Sequence, residues 1–82
     1  MPNSLRWTVK DGGEYEFLAP VGKPYNVHAT VVHHPGYSVV YFRGTPIVTL
    51  KGGLLGGFVL RRKAGRALAE AYAGGITAKV EQ

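Results

Sequence analysis

Apolar and polar positions alternate with a period of two through most of the N-terminal part of the chain. Leu5, Trp7 and Val9 alternate with Arg6, Thr8 and Lys10, the pattern of a strand with one buried face. Asp11-Gly12-Gly13 follows, and glycine supplies the positive φ that a tight hairpin needs. Tyr15, Phe17 and Ala19 then alternate with Glu14, Glu16 and Leu18, predicting a second strand that ends at Pro20, which has no N–H to give a ladder. After Gly22-Lys23-Pro24, two alternating sets (Tyr25, Val27, Ala29, Val31, His33 and Asn26, His28, Thr30, Val32, His34) predict a third strand. Pro35-Gly36 reads as a type II turn. Tyr37 to Arg43 is a fourth strand, apolar on both faces through Val39, Tyr41, Val40 and Phe42; such a strand is expected at the centre of a sheet with both sides covered. Gly44-Thr45-Pro46 turns the chain into a short fifth strand, Ile47 to Leu50.

The period then changes. Lys51 to Gly57 places four glycines around Leu54 and Leu55, and Phe58 to Ala73 reads as a helix. At 100° per residue, Leu60, Ala64, Ala67, Leu68, Ala71 and Tyr72 fall on one side, with Arg62, Lys63, Arg66 and Glu70 opposite. Gly65 costs about 1 kcal/mol of helix propensity relative to Ala, and suits a close approach of the helix to the sheet. Gly74-Gly75 reads as a helix stop, and Ile76, Ala78 and Val80 alternate with Thr77, Lys79 and Glu81 as a sixth, edge strand. The expected fold is α+β: an antiparallel sheet of five to six strands with one helix packed on a face, in the order β-β-β-β-β-α-β. The full span, 1–82, is expected to form one domain, with no repeat or linker in it.

Charge sharpens this picture. The net charge is +5, yet from Phe17 to Ala69 there is no acidic residue, while Lys23, Arg43, Lys51, Arg61, Arg62, Lys63 and Arg66 all fall there. Asp11, Glu14 and Glu16 crowd the first hairpin, where solvent or Lys10 is expected to neutralise them. Such asymmetry favours an anionic partner. The chain has no cysteine, which excludes disulfides and Cys-based zinc sites. No signal-like start and no apolar run near the roughly 20 residues of a bilayer span are present, so a cytoplasmic protein without a membrane partner is expected.

Little in the sequence points to catalysis. The serines are Ser4 and Ser38, neither in a GxSxG elbow, and no pair of carboxylates is spaced for acid–base work. His28 and His34 stand about 20 Å apart on an extended strand at 3.3 Å per residue, too far to share a metal, and His33-His34-Pro35-Gly36 reads as a turn with exposed imidazoles. No catalytic residue, metal site or cofactor is therefore assigned. Glycines before a helix invite comparison with phosphate-binding loops, but Phe58-Val59 stands where a Walker loop needs Lys-Ser/Thr.

The cations make the strongest candidate site. Arg62, Lys63 and Arg66 lie within one turn of each other on the helix, and with Arg43, Lys51 and Arg61 they are expected to contact phosphates, each releasing counterions. The resulting expectation is a small, non-enzymatic protein that binds DNA or RNA through a basic helix face. The alternative is an inhibitor or regulator, similar in size and style to bacteriophage accessory proteins, that docks on an acidic surface of a bacterial nucleic-acid-processing complex. Tyr37, Leu54, Leu55 and Phe58 would then be its apolar anchors. A homodimer through a strand edge is a third reading.

Overall fold

The computed structural model of the protein describes residues 4–52 and 57–81. Five strands follow one another: β1 (Leu5–Lys10), β2 (Tyr15–Pro20), β3 (Ala29–His34), β4 (Tyr37–Phe42) and β5 (Thr45–Lys51). One helix, α1 (Gly57–Glu81), closes the described chain. The strands form a single antiparallel sheet in the order β1-β2-β3-β4-β5. This is the α+β arrangement expected, with each strand beside its neighbour in sequence. Gly12, Gly36 and Gly44 adopt φ of 67°, 83° and 82°, values that an L side chain strains to reach, but the last turn is centred on Arg43-Gly44 and Thr45-Pro46 belongs to β5.

Register fixes the two faces. Trp7 opposes Leu18, Leu18 opposes Ala29, Val31 opposes Val40, and Val40 opposes Val48. Directly opposed residues share a face, so these side chains line one side of the sheet, and α1 packs on it. Leu18, Ala29, Val31, Val40, Ala69 and Ala73 form the buried core, with Leu5, Trp7, Phe42, Val48 and Leu50 at its margin. Gly65 brings the helix close: a Cβ there would meet Val31 Cγ1 at 3.0 Å, tighter than ordinary van der Waals contact.

Several expectations need correction. The third strand begins at Ala29, because successive turns over residues 20–26 (Lys23 N–H to Pro20 O, Asn26 N–H to Lys23 O) use backbone groups a ladder would need. β3, not β4, is the central strand; β4 is apolar on both faces because Val40 lies under the helix while Val39 and Tyr41 are half-buried on the opposite face. β5 is longer than read and includes Pro46. An edge strand tolerates a residue without an N–H, and the register shift between Val40 and Tyr41 falls beside it.

The helix departs most. Among the described residues no sixth strand forms: α1 continues through Gly74-Gly75 to Glu81. Glycine lowers helix propensity but keeps the N–H that proline lacks, so a pair of them does not break the ladder. The helix also faces the sheet through a different side. Arg61, Gly65, Ala69 and Ala73 are buried, whereas Leu60, Ala64, Ala67 and Ala71 are exposed. At 100° per residue this is a rotation of about a third of a turn from the predicted apolar stripe. No described helix is long and apolar enough to cross a membrane.

Candidate functional site

The rotation of α1 follows from one acidic residue. Glu16 lies on β2 beside Leu18's face and is fully buried (0 % exposed). A carboxylate cannot stay there without partners. His33 supplies one from β3, with Nε2 at 2.7 Å from Oε2. The helix supplies the others: Arg66 Nε donates to Oε1 at 2.6 Å, and Arg62 Nε lies 3.3 Å from Oε2. Burial pushes the Glu16 carboxyl up, but the hydrogen bonds from His33 and Arg66 and the charges of Arg66 and Arg62 outweigh it, so it titrates below the ordinary range. The expectation that solvent or Lys10 neutralises Glu16 is thus overturned.

The network continues through His33 to the helix start. His33 Nδ1 lies 2.7 Å from Ser38 Oγ, and Arg61 Nε donates to the same oxygen at 2.9 Å. An arginine only donates, so the set is satisfied when the Ser38 hydroxyl donates to Nδ1 and Nε2–H donates to Glu16. Arg61 Nη2 also donates to the His34 carbonyl at 3.2 Å. The guanidinium lies over Gly52, where any Cβ would overlap it. That explains one of the glycines before the helix without a phosphate. Ser38, His33 and Glu16 have the connectivity of a hydrolase triad, but Ser38 is fully buried and His33 only 6 % exposed. The chain of donors and acceptors joins helix to sheet; the exposed imidazole expected at position 33 is corrected by the same contacts.

This leaves the predicted basic helix face divided. Arg61 is buried, and Arg62 and Arg66 point inward to Glu16, with side chains 40 % and 30 % exposed. The Arg66 guanidinium also lies 5.1 Å from the Trp7 ring centroid. Glu70, expected beside Arg66, instead accepts from Trp7 Nε1 at 2.7 Å. Of Arg61, Arg62, Lys63 and Arg66, only Lys63 is exposed. Phe58 sits in the first turn with its ring against His33, centroids 4.7 Å apart, and remains 42 % exposed. Leu54 and Leu55 lie outside the described residues.

Other cations lie on the opposite face of the sheet, on its two edge strands, where no described helix packs. Register places Lys10, Tyr15, Val32, Val39 and Thr49 in one row across all five strands. Thr8, Phe17, Thr30 and Tyr41 form the row on one side of it, and His34, Tyr37 and Lys51 the row on the other. Lys10 and Lys51 are exposed, as is Arg6 at the far end of β1. The His34 imidazole and Tyr37 ring stack at 4.7 Å and 18°, and Tyr37 remains 41 % exposed. Tyr15 and Phe17 rings pack at 6.1 Å. No strand position on this face carries a carboxylate; Asp11 and Glu14 belong to the β1–β2 connection. Arg43 stands at the β4–β5 turn with φ 55° and lies over the Phe42 ring. Burial first, then the Arg43 charge, holds the His28 imidazole below its usual value.

Of the predicted residues, the structure therefore brings Tyr37 and Lys51 together on the open face, and Arg61, Arg62 and Arg66 together beneath the helix. Arg6, Lys10, Tyr15 and Tyr41 complete the open face and were not assigned. Lys10 and Tyr15 share that face because the register pairs them across the first turn. No family model, curated protein or solved structure matches the chain.

Proposed function

We propose that the protein is a non-enzymatic nucleic-acid-binding protein that uses the open face of its sheet. The observation that carries this reading is the composition of that face: Arg6, Lys10 and Lys51 around Tyr15, Tyr37 and Tyr41, with no strand carboxylate among them. Cations neutralise phosphates, and tyrosines at a half-wet surface offer flat apolar area. The helix cations contribute less than sequence alone implies, because three of them serve Glu16 and Ser38. The test is binding of a labelled oligonucleotide as a function of salt. Affinity should fall steeply as salt rises, with a slope that shrinks when Lys10 and Lys51 are both replaced by Gln. Absence of binding at low salt would refute the reading.

A second reading, docking on a protein as an inhibitor or regulator, is favoured by a separate observation. The outward side of α1 exposes Val59 (65 %) and Leu60 (57 %) together with Ala64, Ala67 and Ala71. Apolar residues gathered on one exposed helix face suit a protein partner better than a phosphate backbone. A pull-down with nuclease present separates the two, because nuclease abolishes only partners held through nucleic acid.

A further inference from the structure

We infer that the open face takes single-stranded rather than duplex nucleic acid, with bases stacked on its tyrosines; this rests on the nucleic-acid reading above. Size decides first. Neighbouring strands lie about 4.8 Å apart, so five of them span about 19 Å. The major groove of a duplex is about 12 Å wide and admits a helix or a two-stranded ribbon. A five-stranded face of this kind does not enter it. The helix is no substitute, since α1 turns Arg61, Arg62 and Arg66 toward its own sheet and presents Lys63 outward.

The chemistry of the face points the same way. A duplex hides the flat surfaces of its bases, while a single strand exposes them to any aromatic platform. Tyr37 is such a platform: its ring is stacked with His34, is 41 % exposed, and is paired across strands with Lys51. Tyr41 stands four residues along β4 on the same face, about 13 Å away at 3.3 Å per residue. Tyr15 lies in the row between them, opposite Lys10. Pro35, Gly36, Tyr37, Thr49, Lys51 and Gly52 line a shallow groove at the β5 edge, so a base stacked on Tyr37 has a cation within the same groove for its phosphate. Tyr15, Tyr37 and Tyr41 thus lie on one surface between Lys10 at one sheet edge and Lys51 at the other, an arrangement that suits a strand with splayed bases better than a protein helix or an acidic peptide.

The test compares three labelled probes of equal length at low salt: oligothymidylate, oligouridylate and a mixed-sequence duplex. At least one single strand should bind about tenfold or more tightly than the duplex. Tyr37→Ala should lose about tenfold of that affinity, the order expected for one stacked base, while Tyr37→Phe retains it. Trp7 emission, from the helix side of the sheet, reports that each variant is folded. Duplex binding equal to or tighter than both single strands overturns this inference and leaves the nucleic-acid reading standing. Equal single-strand affinity of Tyr37→Ala and wild type also overturns it. Failure of all three probes to bind removes both.

Discussion

Arg66 places its Nε 2.6 Å from Oε1 of Glu16, a carboxylate 50 positions earlier in the chain and fully buried. The pair joins the helix to the second strand, and it explains why α1 lies on the sheet with its arginines inward. A buried carboxylate without its partners costs several kcal/mol, whereas a stripe of Leu60 and alanines left part-exposed costs less. Electrostatic need at Glu16 therefore outweighs the apolar periodicity of the helix.

Replacing Glu16 by Gln should destabilise the fold by about 2 kcal/mol, the scale of hydrogen bonds to charged groups. Urea denaturation of the two proteins at neutral pH measures it. The pH dependence follows from the depressed titration of Glu16. Its contribution is fully present above the ordinary glutamate value of 4.5 and is lost as pH falls through the lower folded-state value. Wild type and Glu16→Gln should thus converge in stability as the solution is acidified below that window. Parallel curves would show that Glu16 is not held as a carboxylate by these partners.

Arg62→Ala combined with Arg66→Ala strands the same carboxylate. The double variant should lose about 3 kcal/mol of stability, the lower end for breaking a buried pair, because both side chains are part-exposed. Denaturant midpoints report this, and oligonucleotide affinity of the folded fraction should change little. A large loss of affinity with stability intact would restore the helix face as the binding surface.

Leu60→Glu should change stability by no more than about 0.5 kcal/mol, as for a surface site remote from packing. Under the predicted apolar stripe the same change would bury a charge in the core. Thermal unfolding separates these outcomes directly, and with them the two orientations of the helix.

Gly65→Val should destabilise by about 1–3 kcal/mol, the range for overpacking. The first added carbon already meets Val31 at 3.0 Å, and the branched methyls have nowhere to go between helix and sheet. A variant as stable as wild type would mean that α1 sits further from Val31.

Much of this fold was legible because its turns are written in glycine and proline. Gly12, Gly36 and Gly44 hold left-handed backbone at three connections, and alternation between them assigned the strands. The helix orientation was not legible. Hydrophobic periodicity sees Leu60, Ala64 and Ala67 but not the demand of a carboxylate on another strand, and His33 and Ser38 look like turn residues until β3 and β4 are paired. The helical closing segment was not legible either, because Ile76 to Val80 alternates over too few positions to exclude a helix. For the candidate site, Tyr37 and Lys51 were legible as single residues. Their union with Lys10 and Tyr15 depends on cross-strand register, which no one strand contains.

The most direct test of the central claim is an NMR titration of the labelled protein with a short single strand at low salt. Resonances of Lys10, Tyr15, Val32, Tyr37, Val39, Tyr41 and Lys51 should shift together and saturate, with those of Leu60, Lys63, Ala67 and Ala71 unmoved. Shifts confined to the outward side of the helix, or none on the open sheet face, would contradict it.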